Sequence, residues 1–306
     1  MTTSSQFLWG IDLGGTKAEC AVLDKSNNLA VVARKRVPTE ADQGYPHIID
    51  QIVKLVNLVK EETGLIPQKI GFSTPGVLDP ILETMKNCNT VCMNGQPMKA
   101  DLEKALGISV AMANDANCFA LAEATMGAAL KAHPNPTVVF GVIMGTGVGG
   151  GVVVNGKVLV GRQGIAGEWG HNFLDESGGP CYCGKSGCNE KVFAGPALEK
   201  FYLQQSGQAL GMKEILERHL ANTDVHASAT IDRLLTMYAK AISAIINVLD
   251  PDVIVLGGGV SNIDLLYTEG FERIKKYVFN NRLDTIIVRP ALGDSAGVYG
   301  GALLVE

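Results

Sequence analysis

The sequence predicts an α/β protein of two related, packed lobes with a cleft between them. Short apolar strands alternate with segments of helical period along the 306 residues. Residues 7–23 and 138–154 are alike, each an apolar strand, a glycine-rich turn and a returning strand, so the chain repeats its opening. No low-complexity linker separates the halves, and the length suffices for one large domain or two medium ones.

Composition removes several classes. An apolar content of 46% excludes a disordered chain, and the 36 glycines have no three-residue period, which excludes collagen. With 31 acidic against 26 basic residues the net charge is −5, so no electrostatic pull toward nucleic acid is expected.

Residues 7–13 read as a strand, Gly14-Gly15 as a turn and 16–23 as the return. The turn-rich Asp24-Lys25-Ser26-Asn27-Asn28 leads into a third strand at 29–36. Ile48, Ile49, Ile52, Val53, Leu55, Val56 and Val59 recur at helical spacing. Lys69 to Ser73 is a short strand closed by Pro75-Gly76, and the Ala-rich 116–130 predicts a helix. The second half opens with a strand at 138–144, a turn at 145–150 and a return at 151–154, and Asn155-Gly156 then turns into 157–160. A long helix is predicted over 231–249, stopped by Pro251, then a buried strand at 252–256. Gly257-Gly258-Gly259 is a loop, 262–277 a helix, Thr285 to Arg289 a strand and 294–304 a last helix.

The N-terminus Met1-Thr2-Thr3-Ser4-Ser5-Gln6 has no basic region, apolar stretch or cleavage site, so a secretory signal is not expected. Thr137 to Val154 is 18 residues without a charge, but its six glycines and the Asn155-Gly156 turn argue against a membrane helix. Seven cysteines, three of them within eight residues, suggest metal or free thiols before disulfides, and with them a cytoplasmic protein.

Two motifs mislead. Gly145-Thr146-Gly147-Val148-Gly149-Gly150 fits the dinucleotide fingerprint, but Val152-Val153-Val154 continues as a strand where that fold needs a helix. Gly179-Pro180-Cys181-Tyr182-Cys183-Gly184-Lys185-Ser186 formally fits a P-loop, yet no apolar strand feeds it.

The chemistry-bearing segments lie elsewhere. In Asp12-Leu13-Gly14-Gly15-Thr16-Lys17 the glycines let backbone N–H groups approach an anion, Thr16 adds a hydroxyl, and Asp12 is placed to orient Mg²⁺ through water. The same pattern suits an ordinary hairpin. The turn 145–150 with Thr146 is its counterpart, so the two could grip phosphates from both sides of a cleft. Gly257-Gly258-Gly259, at the carboxyl end of a buried strand, leaves room for a flat base, although alone it reads as a plain connection.

With these three segments in order, the chain resembles a sugar kinase of the ROK family, within the hexokinase–actin–heat-shock-ATPase superfamily. The likeness runs from the Asp12 loop to Gly297–Gly301. It implies two ribonuclease-H-like (actin-like ATPase) lobes. We expect residues 1–113 in a small lobe, joined by a C-terminal helix at 291–306, and residues 114–290 in a large one.

Asn114-Asp115-Ala116-Asn117 fits either a helix cap or a carboxylate that accepts a proton from a sugar hydroxyl. The resemblance favours the base for Asp115, with Asn114 holding the sugar. Gly167-Glu168-Trp169-Gly170-His171 precedes Cys181, Cys183 and Cys188, at spacings of ten, two and five residues after His171. One imidazole and three thiolates close a tetrahedral Zn²⁺ site, hence a structural metal. In the resembled family Glu168 and His171 also meet sugar hydroxyls, and Glu190 completes that set. Zinc on one ring nitrogen of His171 would leave the other for a sugar oxygen. Gly76 and Asn87 are further candidates for the sugar pocket.

The leading expectation is an ATP- and Mg²⁺-dependent hexose kinase acting at the 6-hydroxyl of fructose, glucose or mannose. Gly10, Ile11, Asp12, Leu13, Gly14, Gly15, Thr16 and Lys17 would hold phosphate, as would Gly145, Thr146, Gly147, Val148, Gly149, Gly150, Gly151 and Val152. Gly257, Gly258 and Gly259 would lie near the adenosine. Asn94-Gly95-Gln96-Pro97 and the Glu168 segment look most like the fructokinase/mannokinase branch. The stretch from Asn114 to Leu121 looks equally like N-acetylglucosamine kinases, so an N-acetylhexosamine kinase is the alternative. A sugar-sensing regulator is the rival of another class, but a hairpin that begins by residue 10 leaves no length for a helix-turn-helix. An actin-like or chaperone ATPase has no use for the Glu168–His171 loop. Expected partners are a small hexose and a second copy of the chain in a homodimer, with neither nucleic acid nor membrane.

Overall fold

The computed structural model describes residues 6–306, so residues 1–5, read above for targeting, lie outside the described residues. In chain order come β1 (Phe7–Leu13), β2 (Lys17–Asp24), β3 (Ala30–Pro38), α1 (Tyr45–Thr63), β4 (Lys69–Thr74), β5 (Val77–Leu78), β6 (Met85–Lys86), α2 (Met98–Leu106), β7 (Ser109–Asn114) and α3 (Asp115–Thr125). They are followed by α4 (Ala128–Ala132), β8 (Val138–Met144), β9 (Val148–Val154), β10 (Lys157–Val158), α5 (Asn189–Phe193), α6 (Gly195–Ser206), α7 (Met212–Leu220) and α8 (Val225–Leu249). The chain ends with β11 (Val253–Gly257), α9 (Glu269–Ile274), β12 (Ile286–Val288) and α10 (Ala296–Leu303). Among the described residues no helix is long and apolar enough to cross a membrane, and the uncharged stretch 137–154 is the β8–β9 hairpin.

The chain divides into two compact units. One holds the residues up to Gly127, Gly151–Ala166 and Ala291–Glu306; the other holds Ala128–Gly150 and Gly167–Pro290.

The first unit carries a sheet in the order β3-β2-β1-β4-β7. β1 runs antiparallel to β2 and parallel to β4, and β4 runs parallel to β7. The apolar stripe of α1 buries Ile48, Ile52, Leu55, Val56 and Val59 with Trp9, Ile11 and Phe72 in one core. Pro46 starts that helix, and Gly64, at φ 69°, ends it in the left-handed conformation a side chain resists.

Helix α10 packs against β1, β4 and α3 unusually closely because small residues meet there. A Cβ on Gly10 would stand 2.2 Å from the Val298 carbonyl oxygen, one on Gly71 1.8 Å from that of Gly301, and one on Gly300 1.9 Å from that of Cys118. Each obstacle is backbone and cannot rotate away. Gly300→Ala is therefore expected to cost about 1–3 kcal/mol or more by overpacking, read as a fall of several degrees in Tm. An unchanged Tm would mean that α10 does not approach α3 this closely. On the other side of α3, the fully buried Glu123 accepts hydrogen bonds from the Ala291 and Leu292 N–H groups, which seats the segment leading into α10.

The second sheet has the order β10-β9-β8-β11-β12, with β8, β11 and β12 parallel. In the second unit, the Asp252 carboxylate accepts from the Thr137 and Val138 N–H groups and so ties the entry of β11 to that of β8. Helix α8 begins earlier than the periodicity indicates, because the Asp224 side chain caps it by accepting from the His226 and Ala227 N–H groups. It ends at Asp250, which is left-handed at φ 45°, before Pro251.

Three local expectations change. The helix expected over 116–130 stops at Thr125 and resumes as the short α4, where a Gly127 Cβ would collide with Glu123. The turn expected over 145–150 narrows to Gly145–Gly147, because β9 already begins at Val148. The helix expected over 262–277 is two 3₁₀ turns, Gly259–Asn262 and Asp264–Leu266, followed by the six residues of α9.

Candidate active site and metal centre

In the first unit β1 delivers Asp12 to its carboxyl end, paired in register with Ser73 of β4. The buried Ser73 hydroxyl donates to Asp12 Oδ1 at 2.6 Å, and Gly297 of α10 leaves just enough room for the carboxylate, since a Cβ there would lie 2.9 Å from it. Burial raises the Asp12 pKa above its ordinary value, against the Ser73 bond, which lowers it. The hairpin beyond is closed by Gly14 N–H donating to the Lys17 carbonyl, and Gly15, Thr16 and Lys17 are exposed. Thr39 braces it from below: its N–H donates to the Thr16 carbonyl and its hydroxyl to the Gly14 carbonyl at 2.8 Å.

At the β7–α3 junction the cap falls to one residue of the pair. The Asn114 side chain is the cap, accepting from Asn117 N–H at 2.8 Å, while Asp115 is the first helical residue and exposed. Asp115 Oδ1 accepts from Ala116 N–H at 2.7 Å. Gly76 is buried, and a Cβ there would lie 2.3 Å from Cys88 Sγ, so packing accounts for that glycine. Asn87 is exposed and left-handed, at φ 57°.

In the second unit the Gly145–Gly147 turn is held by Gly145 N–H donating to the Gly147 carbonyl and by Gly195 N–H donating to that of Gly145. Gly257–Gly259 lies beside it: Gly258, at φ 83°, passes so close to Met144 that a Cβ would sit 2.3 Å from its carbonyl oxygen. The turn and the glycine run, distant in sequence, are thus brought together.

Glu168 immediately precedes the 3₁₀ turn Trp169–His171. Glu190, in the first turn of α5, is buried, and its Oε2 accepts from Val148 N–H at 3.3 Å. The Nδ1 or Nε2 of His171 and the sulfurs of Cys181, Cys183 and Cys188 all lie within 4.8 Å of one another. Cys183 and Cys188 sulfurs are 3.6 Å apart, and Cys181 Sγ is 3.6 Å from His171 Nδ1. Zn–S bonds of about 2.3 Å and Zn–N bonds of about 2.0 Å in a tetrahedron require edges close to these, so the donor set fits zinc.

Sequence reasoning passed over two residues here. Tyr182, between two of the cysteines, places its hydroxyl 3.0 Å from His171 Nε2, the nitrogen expected to face sugar. The buried Trp169 donates its indole N–H to the Gly149 carbonyl at 2.9 Å. Both lie inside the motifs, but only their neighbours carried a recognisable pattern.

Comparison with known proteins adds to this geometry. A sequence model described as the ROK family matches residues 8–306. The chain is 37% identical to the N-acetyl-D-glucosamine kinase of Vibrio parahaemolyticus serotype O3:K6 (strain RIMD 2210633), over 97% of this chain and 98% of that one. It is 34% identical, over the same shares, to the enzyme of that name from Yersinia pseudotuberculosis serotype O:3 (strain YPIII). Among solved structures it is similar to the ROK hexokinase of Thermus thermophilus, with a TM-score of 0.86, 31% identity and 97% of each chain covered. It also resembles a ROK family glucokinase from Streptomyces griseus in complex with glucose and AMPPNP, with a TM-score of 0.74, 25% identity and 97% and 98% of the chains covered.

Proposed function

Because the chain belongs to the ROK family, and is with it an ATP-dependent sugar kinase of actin-like ATPase fold, we propose that its acceptor is N-acetyl-D-glucosamine. The observation that carries this reading is the identity of 37% across 97% of the chain with a kinase named for that sugar. It favours the N-acetylhexosamine alternative over fructose, glucose or mannose, which led on sequence grounds.

In this reading the acceptor's 6-hydroxyl oxygen forms a bond to the γ-phosphorus as the bond from that phosphorus to the β,γ-bridging oxygen breaks, and ADP leaves. Asp115 takes the hydroxyl proton. Glu168, His171 and Glu190 accept or donate hydrogen bonds to sugar hydroxyls, and each carboxylate serves two. The segments 10–17 and 145–152 hold the phosphates at their glycine turns, and Gly257–Gly259 lie by the adenosine. Asp12, oriented by Ser73, suits a hydrated Mg²⁺, which when bound neutralises phosphate charge.

A panel of N-acetylglucosamine, N-acetylmannosamine, glucose, fructose and mannose, ranked by kcat/KM, tests the assignment. N-acetylglucosamine should lead by about tenfold or more, since a pocket built around one substituent discriminates on that scale. A lead by glucose or fructose would return the assignment to the simple hexoses.

A further inference from the structure

The turn that reads sugar and the turn that holds phosphate are stapled together in the second unit. Trp169 N–H donates to the Gly149 carbonyl at 2.9 Å, and the Glu190 carboxylate accepts from Val148 N–H. The approach is close at three glycines, and at Gly170 the obstacle is backbone. A Cβ on Gly170 would stand 1.8 Å from the Val148 carbonyl oxygen, one on Gly150 2.6 Å from the Trp169 ring, and one on Gly147 2.6 Å from Glu190 Oε2. Behind the staple, Asn189 Nδ2 donates to the Trp169 carbonyl at 2.7 Å, and the indole is wedged edge-on against Phe140 at 5.6 Å and tilted against Phe193 at 6.0 Å. Trp169 shares one 3₁₀ turn with His171, capped by Glu168, so the backbone that carries both candidate sugar ligands also carries the indole. The indole in turn holds the first residues of β9, which belong to the 145–152 segment given the phosphate role above.

We infer that Trp169 is a positioning residue that couples occupancy of the sugar site to the grip on nucleotide. This deepens the proposed function and rests on it. A bound hexose steadies the Glu168–His171 turn, the indole N–H then holds Gly149 in place, and nucleotide binds tighter to the sugar-loaded protein than to the free one. The coupling is reciprocal, so nucleotide also tightens sugar binding.

Trp169→Phe tests this in the full-length protein, since it keeps an aromatic ring and removes the donor. In calorimetric titrations with AMPPNP, the ratio of affinities with and without saturating N-acetylglucosamine should fall about 2- to 12-fold in the variant, the span of one net hydrogen bond. Affinity for the sugar alone should change less than about twofold. A packing defect alone would weaken both ligands alike and leave the ratio unchanged, and that result overturns the proposal. A second arm does not depend on the variant's folding. Trp9 and Trp169 are the two tryptophans, so Trp9→Phe leaves one indole. Its emission should shift with the sugar and shift again with AMPPNP; an emission that neither ligand moves also overturns the coupling. Wild-type protein that binds no hexose at all would instead refute the substrate reading.

Discussion

Asp115→Asn is expected to lower kcat by about 10²–10⁴, the usual worth of a positioned general base, with sugar affinity within about twofold. The structure makes the variant a clean one. Asn114 supplies the cap of α3, so the helix does not depend on a charged side chain at 115. Asp115 is exposed, and its bond to the Ala116 N–H uses a carboxyl oxygen that an amide retains. Asparagine keeps that acceptor and the shape but cannot take up a proton at neutral pH. A coupled ADP assay with N-acetylglucosamine, beside a direct sugar titration, reads both quantities. Activity within tenfold of wild type would remove Asp115 from the proton-accepting role.

Loss of the metal from the His171–Cys181–Cys183–Cys188 cluster is the second large effect. We expect one Zn²⁺ per chain on elemental analysis of protein purified without chelators. Cys188→Ser should abolish it, since Cys188 is fully buried where the loop enters α5 and a serine hydroxyl is a poor zinc ligand. Without an ion, burial and then the neighbouring Cys183 and Cys181 push the Cys188 pKa up to about 12, so an ion is what would favour its thiolate. Zinc binding contributes about 10–16 kcal/mol to the folding of small zinc peptides. Losing even a part should lower Tm by about 10 °C or more. The loop carries Glu168, His171 and Glu190, so sugar turnover should fall with the metal and return on adding Zn²⁺. Full activity and an unchanged Tm in metal-free protein would refute a structural zinc.

Much of this was legible because the chemistry needs local patterns. The hairpin 7–24 announces itself by apolar strands around Gly14-Gly15, and Asn155-Gly156 adopts the left-handed pair its sequence indicates, at φ 51° and 73°. The cysteine spacing alone assembles the four donors, because the segment from 171 to 188 folds back on itself with the isolated bridge Phe173–Cys188. Elsewhere local pattern misled. The apolar residues of 262–277 suggest one helix, but tight 3₁₀ turns hold its first part and α9 only six residues, and Ile263 and Leu266 are buried there without a helical stripe. Several helices between 98 and 220 carry weak or mixed periodicity and emerge from packing.

Residue types and spacings were enough to indicate the two hairpins, the strand-to-helix junction at Asp115 and the clustering of His171 with three cysteines, because each rests on neighbours within about 20 residues, where chain connectivity limits the geometry. Contacts between distant segments were not readable in that way. That Ser73 orients Asp12, that Thr39 braces the first hairpin, that Gly258 slides past Met144 and that Trp169 grips Gly149 follow from how sheets and loops pack. A hydrogen bond or a close glycine contact across 20 to 114 residues leaves no periodic trace in the chain; it exists only once close packing has selected which surfaces meet.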